Sequence, residues 1–308
     1  MSQKKKSRAE RAAADRRRQK AAVRRDAAGR VHLTFERDGA NGRPRLVLAE
    51  PVFEADWQNQ LVEATANTAL GTLAERPTVA RAVELAQGTL AAASTLAENF
   101  LSQLPAGSVA CQAGCAHCCH QVVAVTAPEA LAVVEHLKRT RSGAELEAVA
   151  ERVHAAAERG RGLTTAERFS REHPCPFLEA ERCSIYEARP LACRGMNSRD
   201  ADGCARVLAD PAARAESFAS PSRGHSFAEP LRAAHSLSAG LQVCLSEVYR
   251  LDMQPLELAA AVDLLLSGAS SLAARWIAGE TPFARVRASD ETNSDRMRAL
   301  SGLLEPIA

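Results

Sequence analysis

The sequence predicts a mainly α protein: a helical scaffold around cysteine-rich metal-binding loops, with a short N-terminal β-hairpin. Three observations predict this. Alanine, leucine, glutamate and arginine dominate the 308 residues, and all of them suit helix. Hydrophobic residues make up 46% of the chain but aromatics only 4%, so aliphatic and alanine packing must fill a sizeable core. Segments with helical apolar spacing surround a stretch in which cysteine, proline and glycine interrupt any period.

The chain divides into five segments. Residues 1–28 read as a basic, disordered arm. Residues 29–104 hold the hairpin and a helical segment, and 105–210 hold the cysteine-cluster core. Residues 211–285 supply C-terminal helices packed on that core, and 286–308 form a polar tail. Charge separates the arm from the body. The net charge of +2 hides eleven Lys/Arg against three Asp/Glu in residues 1–26, and 28 against 34 in the remainder. Such an arm suits an acidic partner or nucleic acid, although a solvated tail that aids solubility is the simpler reading.

The elements follow in order. In 31–51, Val31, Leu33 and Phe35 alternate, as do Leu46 and Leu48, and the turn dipeptides Asp38-Gly39 and Asn41-Gly42 lie between them. That pattern predicts a two-stranded hairpin. Helical stretches over 54–75 and 77–103 are parted by Glu75-Arg76-Pro77. The second places Val79, Ala82, Val83, Ala86 and Leu90 near one face. Thr126-Ala127-Pro128-Glu129 has the form of a capping box with proline in the first turn, so a helix should run to about Arg141. Another covers 143–159. Thr164-Thr165-Ala166-Glu167 repeats the capping pattern before a short helix ending near His173-Pro174. Helices are predicted over 226–250, 255–267 and 269–279. The cysteine segments between them are expected as irregular loops.

No apolar run approaches the roughly 18–20 residues that span a membrane. The N-terminus has no apolar signal region. These features predict a cytoplasmic protein without a membrane partner. In reducing cytosol, nine cysteines suggest metal ligation or redox chemistry before disulfides.

Eight of the nine fall between 111 and 204: Cys111, Cys115, Cys118, Cys119, Cys175, Cys183, Cys193 and Cys204. Thiolate is the metal-binding form of cysteine, and a bound cation drives its deprotonation. Short spacings let the loop CQAGCAHCC offer several donors at little extra closure entropy. The distant cysteines then pin that loop to the rest of the chain. Side chains at i and i+1 point apart, so Cys118 and Cys119 are expected to serve two metals, or one metal and another task. Cys244 stands alone among apolar helical positions and reads as a core residue. His117 and His120 flank the loop and read as supporting or solvated groups rather than ligands.

Four thiolates suit a closed zinc site, and thiolates also hold iron–sulfur clusters. Spacing does not choose between them. Cys111-x3-Cys115-x2-Cys118 has the spacing used by radical S-adenosylmethionine enzymes. The rest of the chain lacks the succession of strand–helix units that such enzymes are built on.

The two cysteine blocks together resemble the YkgJ-type cysteine-cluster family, the CxxCxxCC zinc- or iron-chelating domain. The first block is CQAGCAHCC. The second is CPFLEAERCSIYEARPLACR at 175–194, in which Cys175, Pro176, Phe177, Leu178, Cys183, Ile185, Tyr186, Arg189, Pro190, Cys193 and Arg194 carry the match. The sequence departs from the family pattern at the first gap, which is Cys-x3-Cys rather than Cys-x2-Cys. Cys204 lies beyond the matched blocks. The resemblance implies zinc or iron as cofactor, with an iron–sulfur cluster as one form. In this chain Arg189 and Arg194 can offset the charge of a thiolate site, and Tyr186 can pack over it or donate through its hydroxyl. Pro190 disfavours a helical Arg189, which helps aim Cys193 at the cluster. Some relatives are associated with flagellin lysine N-methylation. The resemblance thus admits a cluster-dependent protein-modifying enzyme such as a lysine N-methyltransferase as an alternative. A metal-stabilised interaction protein is the other.

Overall fold

The computed structural model describes residues 33–37, 44–48, 51–74, 76–170, 172–219, 225–268 and 270–288. The basic arm, nearly all of the polar tail and the two turn dipeptides of the hairpin lie outside the described residues.

The mainly α expectation holds. Strands β1 (Leu33–Arg37) and β2 (Pro44–Leu48) pair antiparallel, with Leu33 opposite Leu48 and Phe35 opposite Leu46. The predicted alternation therefore sets the register. The hairpin is fastened to the first long helix, α1 (Asp56–Leu73). Asn67 on α1 accepts from the Leu46 amide and donates to the Leu46 carbonyl, both at 2.8 Å. Glu63 accepts from the Leu48 amide at 2.9 Å. One side-chain amide thus satisfies both backbone groups of a fully buried strand residue, as a neighbouring strand would.

Helix α2 (Val79–Leu101) starts at Thr78, whose hydroxyl caps the Arg81 amide. It buries Ala82, Leu85, Ala86, Thr89, Leu90, Ala93 and Ala97. Helix α3 (Ala127–Thr140) and helix α4 (Gly143–Gly160) both begin with the box geometry that their sequences announce. The third box, at Thr164, starts only a single turn, α5 (Thr165–Arg168). The expected continuation toward His173 is absent because Phe169 leaves helical geometry.

The cysteine segments are more regular than predicted, and this corrects the irregular-loop expectation for two of them. Cys193 lies on a short helix, α6 (Leu191–Gly195), and Cys204 on α7 (Ala201–Ala209). Pro190 occupies the N-cap of α6, and Arg189 before it is extended in ψ at 137°. The proline effect read from sequence thus operates by starting a helix. Asp200 starts α7 by accepting from the Gly203 amide at 2.8 Å. Helix α8 (Pro211–Ala219) follows. Helix α9 (Ala228–Val243) continues into a π-helical turn, Cys244–Val248.

The segment predicted as helix from 255 begins instead with two strand residues. β6 (Leu256–Glu257) pairs with β3 (Ala124–Val125), which directly follows the first cysteine loop. Between them in sequence, β4 (Leu178–Glu179) and β5 (Arg182–Cys183) form a hairpin inside the second block. Helices α10 (Leu258–Leu266) and α11 (Ser270–Ile277) complete the chain.

One main core joins nearly all of these elements. α9 packs on α1, α2 and α6, while α4 and α3 pack on α10. Trp276 is fully buried and donates its indole N–H to the Asp252 carbonyl at 2.8 Å, so its polar atom is satisfied. Helices α9 and α1 approach closely at Gly240 of α9. A Cβ there would lie 2.6 Å from the Val62 carbonyl oxygen and 2.6 Å from Thr65 Cβ of α1. Gly240→Ala is therefore expected to cost about 1–3 kcal/mol through overpacking, despite alanine's better helix propensity. Chemical denaturation of the two proteins checks this. Among the described residues, no single helix is long and apolar enough to cross a membrane.

Candidate metal centre

The first cysteine loop is built from tight turns. The Cys115 amide donates to the Gln112 carbonyl at 3.0 Å, and Gly114 inside that turn has φ +91°. A residue with a Cβ would be strained there, so the glycine makes the Cys-x3-Cys spacing workable. A 3-10 turn, His117–His120, then carries the adjacent cysteines. His120 is buried and its Nδ1 lies 3.2 Å from the Ala116 carbonyl oxygen. This engages it with backbone, in keeping with a supporting role.

The second block is tied to the first at one point. The Cys175 amide donates to the Cys119 carbonyl at 2.7 Å. From there the β4–β5 hairpin brings Cys183 back toward Cys175. Its two turn residues, Ala180 and Glu181, have φ values of 47° and 58°. Left-handed geometry at both positions is what a two-residue hairpin turn needs, and neither residue favours it. The short turn holds the two cysteines close at some conformational cost.

The helices bring in the remaining donors. Glu129 on α3 is buried at 3% exposure. Its Oε2 accepts from the Thr126 amide and hydroxyl, both at 2.8 Å, and its Oε1 accepts from the Leu191 amide at 2.9 Å. One carboxyl group therefore caps α3 and also receives the first amide of α6, the helix carrying Cys193. Ser198 organises the other end. Its amide donates to Cys111 Sγ at 3.1 Å, and the Cys204 thiol donates to its hydroxyl at 3.2 Å.

All eight clustered cysteines are thiols and half-buried, whereas Cys244 is fully buried in the core. Burial pushes the Cys175 thiol up to about 12, against an amide hydrogen bond from Phe177 that pulls the other way. Burial likewise raises Cys183, opposed by the Ile185 amide and by Arg189. Cys193 is raised well above the ordinary thiol range by burial and by its neighbours Cys175, Cys118 and Cys183. Cys118 is raised first by a hydrogen bond with Cys119 and then by burial. Burial also raises Cys111 and Cys204, and Ser198 lowers both. A thiol held protonated by its surroundings requires a cation to ionise it. The amide hydrogens on Cys111, Cys175 and Cys183 favour the ionised sulfur once it forms. The donor set, all sulfur and drawn from separate chain segments, fits a thiophilic metal such as zinc or iron. Among the described residues, no group of three or more His, Cys, Asp or Glu side chains is already disposed around a single ion position.

This cysteine-rich stretch matches a known family. Residues 110–209 match the CxxCxxCC family model, described as "Putative zinc- or iron-chelating domain". The CxxCxxCC match extends past the two motif blocks and takes in Ser198 and Cys204, which the motif resemblance left out. No curated protein and no solved structure matches the chain.

The three residues expected to support the CxxCxxCC site behave differently from one another. Arg189 acts on Cys118, Cys183 and Cys193 as a nearby positive charge. Its guanidinium carbon sits 4.1 Å from the Tyr186 ring centroid, a cation–π contact. Tyr186 is 60% exposed, so it supports Arg189 from outside rather than covering the sulfurs. Arg194 is buried at 6% exposure. It donates through Nε to the Arg189 carbonyl at 2.9 Å, through Nη2 to the Glu187 carbonyl and through Nη1 to Ser94 of α2. Arg194 is chiefly a backbone clamp, although its charge reaches Cys183 and Cys193.

Sequence reasoning missed Glu129 and Ser198. Glu129 was visible only as a capping residue, since its Leu191 partner lies 62 positions away. Nothing in the local sequence marks Ser198. A cleft of about 710 Å³ is lined by His154, Arg168, Glu257 and Asp263 among others. Arg168 pairs with Glu257 at 3.2 Å, and Glu257 in turn acts on Cys175 as a nearby charge.

Proposed function

We propose that the protein chelates zinc or iron through the thiolates of Cys111, Cys115, Cys118, Cys119, Cys175, Cys183, Cys193 and Cys204. The concentration of eight half-buried thiols within the stretch that matches the chelating family, 110–209, supports the reading. The chain's own residues orient the donors: Glu129 and Arg194 hold the Cys193 helix, the β4–β5 turn sets Cys183, and Ser198 holds Cys111 and Cys204. Arg189 offsets negative charge as thiols ionise. When bound, the metal would add cross-links between these segments, so metal removal lowers folding stability.

Elemental analysis of anaerobically purified protein tests the reading. Zinc or iron is expected in stoichiometric amount, and its absence removes the proposal. Zinc without visible absorption indicates a structural clasp, while iron with sulfide indicates a cluster. Cys115→Ser and Cys183→Ser should each lower metal content. Cys244→Ser should leave metal content unchanged while costing about 1–3 kcal/mol for a hydroxyl in an apolar site. Equal metal loss in all three variants would contradict this partition.

The cleft lined by Glu257, whose charge acts on Cys175, supports a second reading, a cluster-dependent modifying enzyme. That reading requires a small-molecule co-substrate. Calorimetry of the metal-loaded protein with S-adenosylmethionine tests the methyl-transfer version, and no binding heat removes it.

A further inference from the structure

We infer that the cleft of about 710 Å³ binds a small organic anion, a carboxylate or phosphate ester with an apolar body, whose charge is met by Arg285. The inference needs no metal and stands apart from the chelating reading.

The cleft lies between the C-terminal half of α4, the turn after it, α10 and residues 285–288. Its volume is in the range of ordinary small-molecule sites. Val122, Ala157, Leu163, Leu264 and Val286 give it apolar walls, which suit the body of an organic ligand better than a bare inorganic ion. Charged side chains line the rest, and nearly all of them have partners. Arg168 Nη2 lies 3.2 Å from Glu257 Oε1, with the two side chains 15% and 13% exposed. Glu257 also accepts from the Ala259 and Ala260 amides, at 3.1 and 2.7 Å. A Cβ at Gly160 would lie 2.7 Å from Arg168 Cζ, so the glycine lets that guanidinium rest against the end of α4. His154 Nδ1 lies 3.2 Å from Asp263 Oδ1, and Arg161 pairs with Glu158. Arg287 Nη2 reaches Asp252 Oδ2 at 2.9 Å. Every carboxylate lining the cleft is thus engaged. Arg285 is the lining charge that has no ion pair among the described residues.

The backbone that carries Arg285 is held in place. Arg285 lies in a 3-10 turn, Ala284–Val286. Phe283 before it is 1% exposed and belongs to the main core. The Val286 amide closes the turn on the Phe283 carbonyl at 3.0 Å. Beyond the turn, the Ala288 amide donates to the Pro255 carbonyl at 2.8 Å, and Arg287 bridges to Leu256 of β6. The segment therefore adds an edge to the β3–β6 pair, and its backbone has little freedom left to lose when a ligand binds. A guanidinium presents a planar pair of donors that matches a carboxylate or a phosphate. A cationic ligand would instead meet carboxylates that already have partners. The available charge and the apolar walls together select an organic anion.

The probe for the test is 8-anilinonaphthalene-1-sulfonate, an anion with an apolar body, titrated into the full-length protein and followed by fluorescence. Saturable binding at about one site per chain is expected. Arg285→Glu should weaken it about tenfold or more. Arg159→Glu makes the same charge change near the end of α4 but outside the cleft lining, and should leave binding unchanged. Ala260→Phe, which narrows the cleft from α10 without altering charge, should weaken binding as well. Benzoate and phenyl phosphate should displace the probe, and their relative strength tells a carboxylate preference from a phosphate one. Benzylamine, a similar ring with a positive charge, should not displace it. No saturable binding, equal affinity in wild type and Arg285→Glu, equal loss in Arg159→Glu, or equal displacement by benzylamine overturns the inference. Arg285 is exposed, so its replacement leaves the fold intact, which circular dichroism checks. Metal content is measured on the same samples, so failure here and failure of the chelating reading are separate results.

Discussion

Replacing Glu129 by alanine is expected to lower stability by about 3 kcal/mol and to loosen the metal site together with the fold. The carboxyl group is buried and accepts three hydrogen bonds, two from Thr126 and one from the Leu191 amide. Loss of a helix cap costs roughly 1 kcal/mol, and a buried donor left without a partner costs about 1–3 kcal/mol. Water entering the vacated space recovers part of that sum, which keeps the total near the middle of that range. For a chain of this size the change corresponds to roughly 6–12 °C in melting temperature. The Leu191 amide opens α6, and Cys193 lies on that helix two residues later. A purely local capping role predicts the same melting shift in metal-free and metal-loaded protein. The Glu129–Leu191 link to the Cys193 helix predicts weaker metal retention as well, measured as faster transfer to a chelator. Glu129→Gln should recover part of both losses, because one oxygen still accepts while the amide nitrogen brings hydrogens toward existing donors.

Arg194→Ala is the second large effect, also about 3 kcal/mol, measured by denaturant titration of the metal-free protein. One guanidinium spans two backbone carbonyls and the Ser94 hydroxyl, and its removal leaves these acceptors unmatched in a buried place. The 3-10 turn Tyr186–Ala188 and the Arg189 carbonyl then lose their link to α2. Arg194→Lys separates clamp from charge. Lysine keeps the positive charge but offers a single point donor instead of a planar fork. If the clamp dominates, Arg194→Lys should be nearly as unstable as Arg194→Ala. Full recovery by lysine would instead show that charge beside Cys183 and Cys193 is what matters.

These two residues show where the sequence was legible. Thr126 to Glu129 reads plainly as a helix start, because a capping box is local and its partners are three residues apart. Its second use, receiving the amide of a helix 62 positions later, leaves no local trace. Arg194 was legible as a positive charge near thiols. Its three acceptors were not, since they depend on how α2 passes the second block. The hairpin register followed from alternation at Leu33, Phe35, Leu46 and Leu48. The β3–β6 pair did not, because two-residue strands carry no period. Cys193 and Cys204 were expected on irregular loops, yet Pro190 and Asp200 stand at the starts of their segments. Both residues start helices, which is a local role of each type.

By itself, the sequence determined the helical class, the capping boxes and the concentration of eight thiols between 111 and 204. Each depends on interactions within a few residues, which composition and spacing encode directly. Only the tertiary structure decided which sulfurs face one another, which of them meet the core and which meet Ser198. Those relations are set by packing between segments tens of residues apart. There the energy depends on shape and burial in three dimensions, and spacing along the chain carries no record of it.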